Sequence, residues 1–247
     1  MKHGRIVVAL CVLALLISMG LNVVLFRMGQ GYYRQLSAVR LDPLGLSQYP
    51  LDANPPPGPR SVVFFGDSRA AEWPAPEGLD GWTFVNRGIH NQTSAEVLHR
   101  FDAHVAPLEP DVIVIQVGVN DLKAIPLFPG QRATIVANCQ ANVAQIVHRS
   151  RELGATVILT TLFPLGEVPL ERRLFWSGEI EDALREVNAY VRTLAGEGVV
   201  VLDTAPILAD ERGIVRRAYS RDLLHLSEAG YQALNKALVP ALEAWTP

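Results

Sequence analysis

The chain has 247 residues, 49% of them hydrophobic, 19% charged and 7% aromatic, which is enough apolar material for one core of ordinary size. Its 19 glycines and 17 prolines follow no repeating period, which excludes collagen-like, low-complexity and solenoid chains. Five basic residues and no acid fall within residues 1–40, leaving 17 basic against 25 acidic residues in the remainder, the reverse of a nucleic-acid binder's balance.

The first predicted element is residues 6–26, IVVALCVLALLISMGLNVVLF, with Asn22 as its one strongly polar side chain. A helix of that length spans about 31 Å, close to the ~30 Å hydrocarbon core of a bilayer. A signal peptide cleaved near Ser18 or Gly20 is the alternative, but the apolar run continues to Phe26 and favours an uncleaved, single-pass anchor. Lys2 and Arg5 hold the N-terminus in the cytoplasm by the positive-inside bias, which makes the rest of the chain extracytoplasmic, although Arg27, Arg34 and Arg40 blunt the asymmetry. Residues 42–60 are dense in proline and read as an extended spacer. The expected organisation is a short tail at 1–5, a transmembrane helix at 6–26, a juxtamembrane segment and linker at 27–60, and a globular domain at 61–247. Cys11 sits in the apolar run and Cys139 in a predicted helix, a pair suited to neither a disulfide nor a zinc site.

Within the domain, five apolar, β-branched runs predict strands at 62–65, 83–85, 112–117, 156–161 and 199–202. Periodic apolar positions predict helices at 94–104, 133–153, 180–194 and 228–244. Strands that alternate with helices and are apolar throughout imply a parallel sheet covered on both faces, whose ligands bind beyond the carboxyl ends of the strands.

The residues that follow the strands therefore carry the functional information. Gly66-Asp67-Ser68-Arg69 follows the first strand and opens a short helix. Backbone N–H groups and the positive dipole end there favour negative charge, which suits a serine nucleophile; the bland reading is a turn and N-cap. Asn86-Arg87-Gly88 follows the second strand and Gly118-Val119-Asn120-Asp121 the third. A glycine N–H and an asparagine amide are the neutral donors that an oxyanion needs, although each segment alone also reads as an ordinary loop. Asp222-Leu223-Leu224-His225-Leu226-Ser227 precedes the last helix, with Ser227 as its cap. A spacing of three lets Asp222 reach the Nδ1 of His225 and leaves Nε2 to accept a proton from serine. His90 is a further candidate for the pocket, whereas His99, His104 and His148 fall in helix patterns.

Taken together, GDSR with Ser68, NRG with Gly88, GVND with Asn120 and DLLHLS with Asp222 and His225 resemble the four blocks of the SGNH hydrolases, or GDSL esterases and lipases. The resemblance covers residues 61–245 and implies a three-layer α/β/α, flavodoxin-like fold with a five-stranded parallel sheet in the order 2-1-3-4-5. It also implies hydrolysis of an O-acyl ester of a lipid, a carbohydrate or a small alcohol through an acyl-serine. Ser68, Asp222 and His225 would then be catalytic, with the Ser68 N–H, Gly88 N–H and Asn120 side chain as the oxyanion hole and no metal or cofactor required. Arg69 departs from the family's leucine and is expected to pair with Glu72 three residues on, or else to bind an anionic substrate group. Phe163, Leu165, Leu174, Phe175 and Trp176 are candidates to line an acyl pocket, or equally to pack the core. Two other functions share these residues: O-acyl transfer to a cell-surface polysaccharide, and a silent, membrane-tethered binding domain.

Overall fold

The computed structural model describes residues 2–50 and 60–245, so positions 51–59 of the proline-rich stretch lie outside the described residues. It divides into two compact units, Met1–Gly45 and Leu46–Pro247.

In the first unit a single helix, α1, covers Lys2–Leu41. It is long and apolar enough to cross a membrane, as an anchor or as a signal sequence, and it has no buried residue. The one polar side chain in the apolar run satisfies itself locally, since Asn22 Nδ2 donates to Ser18 O at 2.8 Å. The helix extends 15 residues past the expected end at Phe26, because the segment after it, RMGQGYYRQLSAVRL, contains no proline before Pro43.

The second unit carries the sheet. In chain order it contains β1 (Ser61–Gly66), α2 (Ser68–Ala71), β2 (Thr83–Gly88), α3 (Ser94–His99), α4 (Phe101–His104), β3 (Val112–Gln116) and α5 (Val119–Leu122). There follow α6 (Arg132–Glu152), β4 (Thr156–Thr160), α7 (Glu179–Thr193), β5 (Val199–Leu202), α8 (Ala205–Leu208) and α9 (Glu228–Glu243). The strands form one parallel sheet in the order β2-β1-β3-β4-β5, the three-layer arrangement expected. The pleat sorts the side chains into two cores. Val63, Phe65, Ile113 and Ile115 face one way onto Val97, Val136, Val143 and Ile146 of α3 and α6. Val62, Phe64, Val112 and Val114 face the other way onto Trp73, Leu208 and the α9 residues Tyr231, Leu234 and Leu238.

Two departures from the expected elements shape the strand ends. The strand expected at 83–85 continues through Asn86 and Arg87 to Gly88, in register with β1, with Gly66 opposite Gly88. The helix expected at 94–104 breaks at Arg100, where φ is −97° and ψ 6°, and becomes α3 and α4. In addition, this unit begins at Leu46, not at Ser61: a 3-10 turn at Leu46–Gln48 precedes Tyr49, whose hydroxyl donates to Gly88 O at 2.7 Å.

Candidate active site

β1 ends where the chain must pass close to β3. A Cβ on Gly66, at φ +155°, would stand 1.8 Å from Gln116 O, so only glycine fits. Asp67 N–H then donates to that same Gln116 carbonyl at 3.1 Å, and the Asp67 side chain caps α2 by accepting from Arg69 N–H at 2.9 Å. Ser68 is thereby the first residue of α2, 7% exposed, and its N–H has no acceptor among the described residues. Burial raises the Asp67 carboxyl to about 6, against the opposing pull of Arg69.

The expected partners meet at Ser68. His225 Nε2 lies 3.0 Å from Ser68 Oγ, and His225 Nδ1 lies 2.9 and 3.0 Å from the two oxygens of Asp222. Asp222 Oδ1 also accepts from the backbone N–H groups of Leu224 and His225, both at 2.8 Å. Partial burial would raise its carboxyl, but those N–H donors and the His225 ring outweigh it and hold the group down at about 2. The loop is pinned at both ends, by the bridge between Ser220 and Leu226 and by Ser227, which caps α9. Gly166 N–H donates to Leu223 O at 2.8 Å, and a Cβ on Gly166 would come within 2.7 Å of Asp222 O.

Arg69 does not pair with Glu72. It is fully buried; Nε donates to Leu224 O at 2.8 Å, Nη1 to Phe163 O at 3.2 Å, and the guanidinium lies 5.2 Å from the centre of the Phe163 ring. The reason is that α2 has a single turn and is covered by α9, whose Tyr231 hydroxyl donates to Arg69 O at 3.0 Å. Arg69 therefore braces the loop that carries His225 and offers no exposed charge to a substrate. Glu72 instead meets Arg221 at 2.9 Å, and His90, 58% exposed, lies 3.8 Å from the same carboxylate.

Asn120 is buried at the start of α5; one amide hydrogen is donated to Gln92 O at 2.8 Å, and the other has no acceptor among the described residues. Asp121 anchors the turn by accepting from Ser94 N and Oγ at 2.8 and 2.7 Å. Gly88 differs from expectation. Its N–H donates to Asn86 Oδ1 at 2.8 Å and is spent, because β2 runs three residues past its apolar stretch. Glycine is needed there for packing, since a Cβ would stand 2.1 Å from Ala71 N.

The five residues expected to line an acyl pocket do not share one surface. Phe163 is buried against Trp73, Leu174 and Phe175 are 88% and 69% exposed, and Trp176 donates to Glu181. Leu165 lines a cavity of about 1000 Å³ with Leu162, Pro164, Leu184 and Ile214, and neither Ser68 nor His225 borders it. A smaller groove of about 440 Å³ does reach Asn120, with Thr93, Phe128, Gln131, Asn138 and Asn142. Among the described residues no cluster of three or more His, Cys, Asp or Glu side chains is arranged to hold a metal ion.

Residues 64–233, more than half of the chain, match the profile of the GDSL-like Lipase/Acylhydrolase family. Platelet-activating factor acetylhydrolase IB subunit alpha1 of Bos taurus is 28% identical over 157 residues, covering 62% of this chain and 61% of that protein. Esterase TesA of Pseudomonas aeruginosa is 36% identical over 85 residues, 34% of this chain and 38% of its own length. The chain thus spans under two thirds of each of these curated relatives. A GDSL-like lipase of Bacteroides thetaiotaomicron superposes with a TM-score of 0.63 at 23% identity, covering 81% of this chain and 98% of that one, a likeness of fold.

Proposed function

The chain belongs to the GDSL-like lipase/acylhydrolase family, and on that premise we propose that it is a serine ester hydrolase whose catalytic residues are Ser68, His225 and Asp222. The observation that carries the reading is the continuous relay from Asp222 through His225 Nδ1 and Nε2 to Ser68 Oγ, with every link at 2.9–3.0 Å. Ser68 Oγ attacks the acyl carbonyl as its proton passes to His225 Nε2. The tetrahedral oxyanion is held by the Ser68 N–H and the second amide hydrogen of Asn120, two donors without other acceptors among the described residues. His225 then protonates the departing alcohol, leaving an acyl-serine. Water, deprotonated by the same nitrogen, releases the acid and restores Ser68. Asp222 keeps the ring in the tautomer this needs and stabilises the imidazolium.

The groove that reaches Asn120 presents the amides of Gln131, Asn138 and Asn142 and one half-exposed ring, Phe128. Amide donors and acceptors, with Asp121 also at the lining, beside an aromatic face suit a hydroxylated alcohol such as a sugar better than a long acyl chain. We read α1 as an uncleaved anchor that holds the hydrolase at a membrane, on its extracytoplasmic side.

Ser68→Ala is expected to leave the fold intact and to lower kcat for p-nitrophenyl acetate by about 10⁴-fold or more, while Asn120→Ala lowers it ~10²- to 10³-fold with little change in KM. Near-wild-type turnover in folded Ser68→Ala contradicts the assignment. The pH profile depends on the same residues. The base must accept the serine proton, so kcat/KM is expected to fall on the acid side, and Asp222, held at about 2, remains a carboxylate throughout that range. A profile that stays flat on the acid side down to about pH 4.5, well below the ~6.5 of an ordinary imidazole, is the result that counts against this scheme. For the anchor, the full chain should remain in the membrane pellet after carbonate washing with Met1 or Lys2 as its N-terminus, and a mature N-terminus near residue 20 would show cleavage instead.

A further inference from the structure

Oxyanion stabilisation needs the Ser68 N–H and the Asn120 amide at a fixed separation, and the loop between β2 and α3 that joins their neighbourhoods is braced by a charge that takes no part in the chemistry. Arg100, at the break between α3 and α4, is fully buried and in no ion pair among the described residues. Its Nη2 donates to Gly66 O at 2.8 Å and its Nε to Gln92 Oε1 at 2.5 Å, with the Phe65 ring centre 4.6 Å from the guanidinium. Gly66 lies two residues before Ser68, and Gln92 O is the acceptor for Asn120 Nδ2. One guanidinium thus ties the nucleophile turn to the oxyanion side chain.

A second layer packs near this cation from the first half of the proline-rich stretch. Tyr49 OH donates to Gly88 O at 2.7 Å, its ring lies 4.6 Å from the Arg87 guanidinium, and its edge meets His104 at 5.3 Å. His104 Nδ1 is 3.2 Å from Arg100 Nη1, so it accepts there and carries its proton on Nε2, 3.4 Å from Leu46 O. Residues 46–49 lie outside the matched region 64–233, yet Tyr49 and Leu46 O reach Gly88, Arg87 and His104 around the loop that carries Gln92.

Resting on the serine-esterase reading, we propose that residues 46–49 complete the active site of this chain, with Tyr49 acting through Gly88, and Arg100 through Gly66 and Gln92, as positioning residues for the oxyanion donors. Neither touches substrate. Their effect falls on the transition state, because a loop that slackens by a fraction of an ångström displaces the Asn120 amide from the oxyanion before it weakens ground-state binding.

The test uses the full chain in detergent micelles, with Tyr49→Phe, which keeps the ring and loses the hydroxyl, and Tyr49→Leu, which loses both. The readouts are kcat and KM for p-nitrophenyl acetate, affinity for a trifluoromethyl ketone that forms an oxyanion at Ser68, and the melting temperature. Tyr49→Phe should lower kcat and ketone affinity together by roughly two- to tenfold, the range of one hydrogen bond, with KM within about twofold of wild type and a melting temperature lowered by no more than about 2–8 °C. Tyr49→Leu, where it folds, should lose more of both. Wild-type kcat and ketone affinity in Tyr49→Phe overturn the inference, as does a loss that appears in KM or melting temperature alone. An inactive wild-type chain would overturn the esterase reading and this inference with it, so the two failures are distinguishable.

Discussion

The carbonyl oxygen of Gly66 is the point on which the site is built. It closes β1, accepts Ile89 N–H at 3.0 Å from the chain leaving β2, and accepts the Arg100 guanidinium at 2.8 Å. The same residue passes Gln116 O so closely that no side chain fits. Three strand ends are thus locked together within two residues of Ser68, and the direction of the proposed nucleophile is fixed by backbone contacts before any other side chain is considered. A rigid element of this kind is what a site whose donors must be aligned before reaction needs.

Two buried arginines extend that lock in opposite directions, and among the described residues neither is neutralised by a carboxylate at contact distance. Arg69 holds the carbonyls of Leu224 and Phe163 and so the loop bearing His225; Arg100 holds Gly66 and Gln92 and so the side bearing Asn120. Desolvation is the dominant influence on both, lowering the Arg100 guanidinium to about 9. A guanidinium remains charged under that penalty where an ammonium would not, and its planar fork reaches two carbonyls at once. Removing Arg69 takes away its donations to the Leu224 and Phe163 carbonyls, at about 1–3 kcal/mol for each left unpaired, whereas Gly66 O keeps Ile89 N–H when Arg100 is removed. These positions therefore trade stability for geometry, the arrangement expected where a fold serves a reaction.

The strands were legible in the sequence because a sheet covered on both faces must be apolar at consecutive positions, as in VVFF and VIVIQV. Ser68, Asn120, Asp222 and His225 were legible because each stands just beyond a strand or before a helix, where polar residues converge. Arg69 was misread because the spacing rule that pairs it with Glu72 assumes an exposed helix, whereas α2 is one turn long and buried. The bond from Gly88 N–H to Asn86 Oδ1 left no sequence signal because β2 outlasts its apolar run by three residues. Arg100 and Tyr49 left little local signal: apart from His104, four residues on, the partners that matter are main-chain carbonyls and an amide 8 to 39 residues away, and a single arginine in a helix pattern reads as a solvated face. The unit's start at Leu46 was hidden because Leu46 falls within the proline-rich stretch, whose composition is that of a linker whether or not part of it is docked.

The central claim is that Ser68 is activated by His225 and becomes covalently acylated during turnover. Incubation of the full chain with a fluorophosphonate followed by peptide mapping tests this most directly. The account predicts a single adduct, on the peptide containing Ser68, whose formation is slowed by an ester substrate and lost in His225→Ala. Ester hydrolysis by a chain that carries no adduct at Ser68, or one labelled at another serine, would contradict it.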